Sequence, residues 1–177
     1  MKLPVFTQRV NTSNLRQKAG TRLFTDNEAQ PLFTQIFQVY TRNQSLEVDA
    51  LVAGDIFVEA HVLGLKDVCS KVGLELLEPL YRRDTSEVFD EIFSLGFKAL
   101  ITGVNLKYLG EEWLGFIISK ETSASFLSKI GSADPLGENG EFHTLVLDCP
   151  LYAKSFKVKS VERKGAKGMA YLNVSIV

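Results

Sequence analysis

The segment Gly137-Glu138-Asn139-Gly140-Glu141-Phe142-His143-Thr144 concentrates the groups in this chain that could do chemistry. It holds two carboxylates, a turn-forming Asn-Gly pair and one of only two histidines. Carboxylates suit an amine or a metal-bound phosphate, and they can act as general bases. They would repel a bare phosphate. Glu138 and Glu141 are therefore the catalytic candidates. Gly137, Asn139, Gly140, His143 and Thr144 are the substrate-binding candidates, with the glycines letting backbone approach a ligand closely. The plain structural alternative is a hairpin, because Asn139-Gly140 is a favoured type I′ turn.

An apolar run, Leu145-Val146-Leu147, follows at once, so the segment sits at the mouth of a strand. Upstream, Leu3–Phe6 reads as a short strand and residues 7–30 as polar loop. Pro31 opens a helix whose apolar face is Leu32, Phe33, Ile36, Phe37 and Tyr40. Ala50–Ala53 is a short apolar strand ended by Gly54-Asp55. A helix is expected over about residues 57–72, with Val58, Val62, Leu65, Cys69 and Val72 facing inward and Gly73 stopping it. Strand 74–79 follows. Asp84 or Thr85 then caps a helix with Val88, Phe89, Ile92 and Phe93 on its apolar face, and Gly96 ends that helix. Residues 98–104 form the next strand, and short helices are expected near 111–117 and 122–130.

Alternation of strand and helix predicts an α/β fold with a parallel sheet. After Thr144 the pattern changes. Residues 142–148, 155–161 and 169–177 are β-rich with no helix between them, which predicts a small antiparallel addition.

In open α/β sheets, ligands bind beyond the carboxyl ends of strands. Two such ends carry polar residues: Gly54-Asp55, and Gly103 with Asn105. Asp55 suits a ribose hydroxyl, an amine or a hydrated magnesium ion, or else an ordinary helix N-cap before Ile56. His61 reads as a surface residue. No spacing suggests a Ser-His-Asp or Cys-His arrangement, a Walker loop or a G-x-G-x-x-G fingerprint.

Length and composition set the frame. A chain of 177 residues with 45% hydrophobic residues can bury about 70% of its unfolded surface as one domain. Net charge of −1 gives no global pull toward nucleic acid or acidic membrane. Charge is uneven only near the C-terminus, where Lys154, Lys157, Lys159, Arg163, Lys164 and Lys167 face Glu162 alone. A solvated strand and turn explains that run, and contact with an anionic partner is the alternative. Cys69 and Cys149 form neither a disulfide framework nor a zinc site, so a reduced, cytoplasmic setting is expected. No apolar run approaches the ~18 residues of a membrane span, and the N-terminus does not read as a signal peptide.

Several motifs follow in order along the chain: Leu51-Val52-Ala53-Gly54-Asp55-Ile56, Asp67-Val68-Cys69 with Gly73-Leu74, and Pro79-Leu80-Tyr81 with Arg83-Asp84-Thr85. Gly96-Phe97-Lys98-Ala99 and Leu114-Gly115 come next, then the GENGEFHT segment, then Leu147-Asp148-Cys149-Pro150-Leu151-Tyr152. In series they resemble the diphthine–ammonia ligase family, PP-loop enzymes of the adenine-nucleotide α-hydrolase type. The resemblance implies a Rossmann-like parallel sheet with helices on both faces, incomplete at its N-terminus, over residues 1–132. A β-rich substrate-side part over 133–177 would carry the acidic turn in the same compact unit. It implies ATP with Mg2+ as cofactor, and Gly54 and Asp55 near the nucleotide. The activity implied is adenylation of the diphthine carboxylate on translation elongation factor 2, then amidation by ammonia to diphthamide.

The departures from that family are specific. The family's SGGKDS loop, whose N–H groups would cradle pyrophosphate, occurs nowhere in the chain. Leu3–Phe6 aligns with the family's second strand, which implies that the first strand and its loop are missing and leaves a sheet edge compatible with a homodimer. Val62 and Phe116 stand where relatives usually have Arg, Ser119 where they have Asp, Arg82 where they have Gly and Leu136 where they often have Cys. Losing two arginines removes anion contacts. The chain is therefore expected to bind ATP weakly or not at all. Two readings follow: an amide ligase of this type, or a non-catalytic relative that keeps the fold and a ligand site. Nucleic-acid binding through the basic C-terminal strands is a distant third.

Overall fold

The computed structural model describes residues 49–166 and 168–177, save the Ala166 side chain. The Leu3–Phe6 strand, the loop of residues 7–30 and the helix after Pro31 lie outside the described residues. The chain divides into two compact units, Met1–Arg82 and Arg83–Val177.

The described part of the first unit is a strand–helix–strand unit. Strand β1 (Ala50–Val52) pairs in parallel with β2 (Glu75–Leu77), in register Leu51 to Leu76, and helix α1 (Glu59–Val72) connects them. Parallel neighbours need such a crossover. Val68 and Cys69 are the buried residues of α1. Gly73 ends the helix as expected, in the left-handed region at φ 75°, where a Cβ would be strained. Val58 precedes the first turn without a side-chain cap, so Asp55 is not the N-cap.

Arg82 is the single non-glycine residue at positive φ among the described residues, at 62°. Its N–H donates to the Ile56 carbonyl at 2.6 Å, which fixes that conformation. Its guanidinium lies over the Tyr81 ring and 3.7 Å from Glu59, contacts that are exposed and weak. The backbone thus keeps the conformation suited to glycine at a position occupied by arginine.

The second unit opens with helix α2 (Thr85–Ser94), capped by the Asp84 carboxylate, which accepts the N–H groups of Ser86 and Glu87. Gly96, at φ 91°, then turns the chain into β3 (Lys98–Asn105). A 3-10 turn at Glu111–Trp113, strand β4 (Ile117–Ile118) and the short helix α3 (Ser123–Leu127) follow. Three strands complete the unit: β5 (Phe142–Asp148), β6 (Val158–Ala166) and β7 (Met169–Ile176). Strand β3 pairs antiparallel with β5 along one edge and with β4 and β7 along the other, and β6 extends the sheet beyond β7.

The mixed α/β class stands, as do the parallel pair and the antiparallel C-terminal addition. One detail differs: β3, expected as a third parallel strand, is the centre of the antiparallel sheet. Ala99, Leu100 and Ile101 are all buried, and such a run marks a strand covered on both faces without revealing its partners' direction. The helix expected at 122–130 shortens to α3, and 111–117 is reduced to the 3-10 turn.

Phe126 is the hub of the core. It is fully buried, and its ring meets those of Phe89, Trp113, Phe116 and Phe142 at centroid distances of 5.3–6.1 Å. Phe142 is the first residue of β5, so the core grips the strand at the point where the acidic segment enters it. Among the described residues, no helix is long and apolar enough to cross a membrane.

Replacing Arg82 by Gly removes a left-handed residue worth about 1–2 kcal/mol of strain, offset in part by glycine's unfolded-state entropy. Arg82→Gly is expected to stabilise the protein by roughly 1 kcal/mol in a denaturant titration. An unchanged or lowered midpoint would refute the strain assignment.

Candidate functional site

Loop 134–141 is built around two carboxylates. Glu141 is only 3% exposed. Its Oε1 accepts the Asp134 N–H at 3.0 Å and the Asn139 side-chain amide at 3.3 Å, and its Oε2 accepts the Asn139 N–H at 2.9 Å. Asp134 Oδ1 in turn accepts the N–H groups of Leu136 at 2.8 Å and Glu138 at 3.3 Å. These bonds replace the water a buried carboxylate gives up.

A tight turn closes the loop, with the Gly140 N–H donating to the Gly137 carbonyl at 3.0 Å. Glu138 and Asn139 occupy its centre. The structural alternative, an Asn139-Gly140 hairpin, is therefore not formed. A type I′ turn needs positive φ at both central residues, and Asn139 is not at positive φ. Glu141 takes the Asn139 N–H and side chain for itself. Gly137 combines φ 75° with close approach: a Cβ there would lie 2.9 Å from the Phe142 carbonyl oxygen.

Asn105, at the end of β3, ties the loop to the sheet. Its N–H donates to the Glu141 carbonyl at 2.8 Å, and its side-chain amide reaches the Gly140 carbonyl at 3.4 Å. The polar strand end read from the sequence thus meets the acidic segment. His143 lies on β5 opposite Gly103, across the central strand from Tyr171. A Cβ at Gly103 would sit 3.4 Å from the His143 ring, which leans over the space the glycine leaves. Thr144 is exposed opposite Ile101.

Of the residues singled out from the sequence, Gly137, Glu138, Asn139, Gly140, Glu141, His143 and Thr144 share this loop and strand. Glu138, Asn139, Gly140, His143 and Thr144 are exposed, and Glu141 is buried. Asp134 went unnoticed, although Asp134-Pro135 is a turn-initiating pair that could have marked it.

Gly54 and Asp55 belong to the first unit, just beyond β1. Asp55 Oδ1 lies 2.8 Å from His61 Nδ1. Glu78 follows β2, so both carboxylates stand beyond the carboxyl ends of a parallel pair. Burial, and then the Asp55 charge, push Glu78 above the usual carboxylate range. Its Oε1 is buried with no hydrogen-bond partner among the described residues. Burial, and then Glu78, also raise the Cys69 thiol, which disfavours the thiolate a nucleophile needs. Two carboxylates suit ribose hydroxyls or a partly hydrated Mg2+. No group of three metal-ligating side chains occurs among the described residues.

The positions read from the sequence as departures from the resembled family have structural roles here. Phe116 packs edge-on against Trp113 at 5.1 Å and, partly buried, lies against the aromatic core. Ser119 is buried and donates to Glu121 at 2.6 Å, a bond that leads the lowering of the Glu121 carboxyl below its ordinary range. Leu136 packs against the core.

The family model of the diphthamide synthase C-terminal domain matches residues 84–176, from the α2 cap to the end of β7 and across the whole acidic loop. The chain belongs to the diphthamide synthase family. It is 27% identical over 175 residues to the diphthine–ammonia ligase of Schizosaccharomyces pombe, covering 97% of this chain and 28% of that protein. The diphthine–ammonia ligase of Danio rerio is 25% identical over 168 residues, 92% of this chain and 63% of the relative. For that of Homo sapiens the identity is 26% over 164 residues, 92% of this chain and 60% of the relative. The chain thus spans less than two thirds of the length of each of these relatives.

Glu141→Gln turns one acceptor oxygen into a donor facing N–H groups and is expected to cost about 1–3 kcal/mol. Glu138→Gln is expected to change stability by less than about 0.5 kcal/mol, as at most surface positions. Thermal unfolding of both variants checks this, and equal melting temperatures would overturn the division of roles.

Glu78 carries its own pH signature. A carboxyl raised in the folded state contributes stability below its unfolded pKa, and that contribution fades as pH rises through the folded pKa. Glu78→Gln is expected to raise the melting temperature more at about pH 8 than at about pH 4. A gain that does not grow with pH would contradict the burial of an ionisable Glu78.

Proposed function

We propose that this chain serves the substrate side of an ATP-dependent carboxylate amidation of the diphthine–ammonia ligase type. The observation that supports this best is the division of labour in loop 134–141. Glu141 spends both oxygens holding the loop, which leaves Glu138 exposed at the centre of a turn fixed to the aromatic core. In this reading Glu141 is a positioning residue. Glu138 binds ammonium and takes the proton released as ammonia attacks the activated carboxyl. Gly137, Asn139 and Gly140 shape the approach, and His143 and Thr144 line the exposed start of β5. Gly54 and Asp55 serve the nucleotide, with Asp55 suited to ribose or to Mg2+. ATP, when bound, would supply the adenylyl group that activates the diphthine carboxylate of translation elongation factor 2.

The second reading is a non-catalytic relative that binds the same substrate. It is favoured by Phe116, whose ring lies against the core at a position where the family resemblance implies an anion-binding arginine. One assay separates the two. The chain is incubated with Mg2+, ATP, ammonium and diphthine-bearing elongation factor 2, with amidation followed by mass spectrometry and AMP by chromatography. Turnover that is slow and needs high ATP is expected, in keeping with the missing phosphate loop, and Glu138→Gln is expected to lower kcat at least about tenfold, the low end for a general base and close to 1.4 kcal/mol, with an unchanged melting temperature. Binding of the factor without AMP would support the second reading. Neither turnover nor binding would sink both.

A further inference from the structure

Strand β6 is an edge. It pairs with β7 alone, and no strand is laddered to its outer side among the described residues, although just before it the Phe156 N–H donates to the Leu147 carbonyl of β5 at 2.8 Å. Every residue from 151 to 165 is exposed. Lys154, Lys157, Lys159, Arg163 and Lys164 are among them, in a chain whose net charge is −1. Basic edges discourage pairing with like strands. Here, however, the edge is also apolar. Register places Val158 beside Ile176 and Val161 beside Val174, so the core-side face runs uncovered to the edge. Val161 is 53% exposed, and Val158 and Ile176 are each more than a third exposed. On the other face lie Ser160, Glu162 and Lys164, with Lys164 held to Glu162 at 3.2 Å.

We propose that the outer edge of β6 accepts an extended acidic segment of another protein as an added strand, one in which apolar residues alternate with Asp or Glu. Unpaired backbone groups supply the hydrogen bonds, and Val158 and Val161 receive the apolar side chains. Lys159 and Lys164 select for acid, and Arg163, beside Leu172 on the core-side face, adds positive charge next to the apolar positions. A second copy of the chain fits badly, since antiparallel pairing of two β6 edges would bring their cations together. Nucleic acid answers the charge but not the exposed aliphatic groups. The nearby rings of Tyr152 and Phe156 already pack on each other at 5.4 Å rather than standing open for base stacking. This inference is independent of the proposed amidation.

The test uses the full chain and a fluorescent peptide alternating valine and glutamate, read by anisotropy. Two further peptides carry N-methyl groups on the odd or on the even residues, so that each blocks one edge of the added strand. Saturable binding is expected, abolished in one N-methyl phase and retained in the other. The variant Lys159→Glu/Arg163→Glu/Lys164→Glu, with an unchanged circular dichroism spectrum, is expected to bind about tenfold more weakly, as three exposed charge contacts would predict. Equal binding of both N-methyl peptides would overturn strand addition in favour of charge attraction alone. Tighter binding of a single-stranded oligonucleotide of the same charge would overturn the protein partner. Sedimentation showing a dimer that the triple variant disrupts would assign the edge to a second copy, and no binding at all would end the proposal.

Discussion

A carboxylate buried at Glu141 must be matched by donors, and much of the local architecture follows from that constraint. An ionised group leaving water for the protein interior costs several kcal/mol unless hydrogen bonds replace its hydration. The nearest supply is the backbone of its own loop. Bending that backbone inward makes Asp134 and Asn139 turn their N–H groups toward Glu141, and the chain between them has to reverse. Gly137 takes the left-handed conformation the reversal needs, where a side chain would also strike the Phe142 carbonyl. Glu138 is then carried outward at the tip. The exposure of one carboxylate is a consequence of the burial of the other.

That loop would still drift without an anchor. Phe142 follows Glu141 directly, and its ring packs edge-on against Phe126 at 5.6 Å. Phe126 also meets Phe89 of α2 and Trp113 of the 3-10 turn. A residue so placed typically costs about 3–5 kcal/mol when truncated to alanine, more than any single bond in the loop. Packing therefore sets the position of β5, and hydrogen bonds set the shape of the segment leading into it. Phe116 joins the same cluster. An arginine at that position would need a polar outlet, whereas phenylalanine adds to the grip on Phe126.

The elements legible in the sequence were those with a local cause. Asp84 caps α2, Gly73 and Gly96 end helices, and the apolar faces of α1 and α2 follow helical spacing. The acidic segment was legible as a place and Asn105 as a polar strand end, but not that the two meet. What escaped depended on partners far along the chain. The direction of β3's neighbours cannot be read from Ala99-Leu100-Ile101, because a central strand is apolar in either sheet type. The hairpin offered as the alternative at Asn139-Gly140 does not form because Glu141 competes for Asn139, a contest that turn propensity does not include. Glu138 and Glu141 look alike in the sequence, and burial alone separates them. Arg82 shows the converse. A backbone conformation suited to glycine persists through the bond from its N–H to Ile56, although the residue there is unfavourable.

The antiparallel sheet also relates two surfaces of the second unit. Strand β5, with His143, forms one edge, and the basic strand β6 forms the other. Gly103 and Tyr171 lie between them in register, so His143, Gly103, Tyr171 and Lys164 form one row on the sheet face away from the core. Along this row neighbouring strands about 4.8 Å apart put β5 and β6 roughly 14 Å from each other, whereas towards the other end of β5 the Phe156 N–H, just before β6, donates to the Leu147 carbonyl at 2.8 Å. A strand added outside β6 would stand about 19 Å from β5, a span that six extended residues cover at about 3.3 Å each. One partner chain held at the basic edge can therefore present a residue a few positions away at the mouth of the acidic loop. Because β3 and β7 pair over Gly103–Asn105, beside the acidic loop, backbone hydrogen bonds set the spacing there, and a partner docked at one edge in the proposed way would be constrained in which of its residues reaches the other.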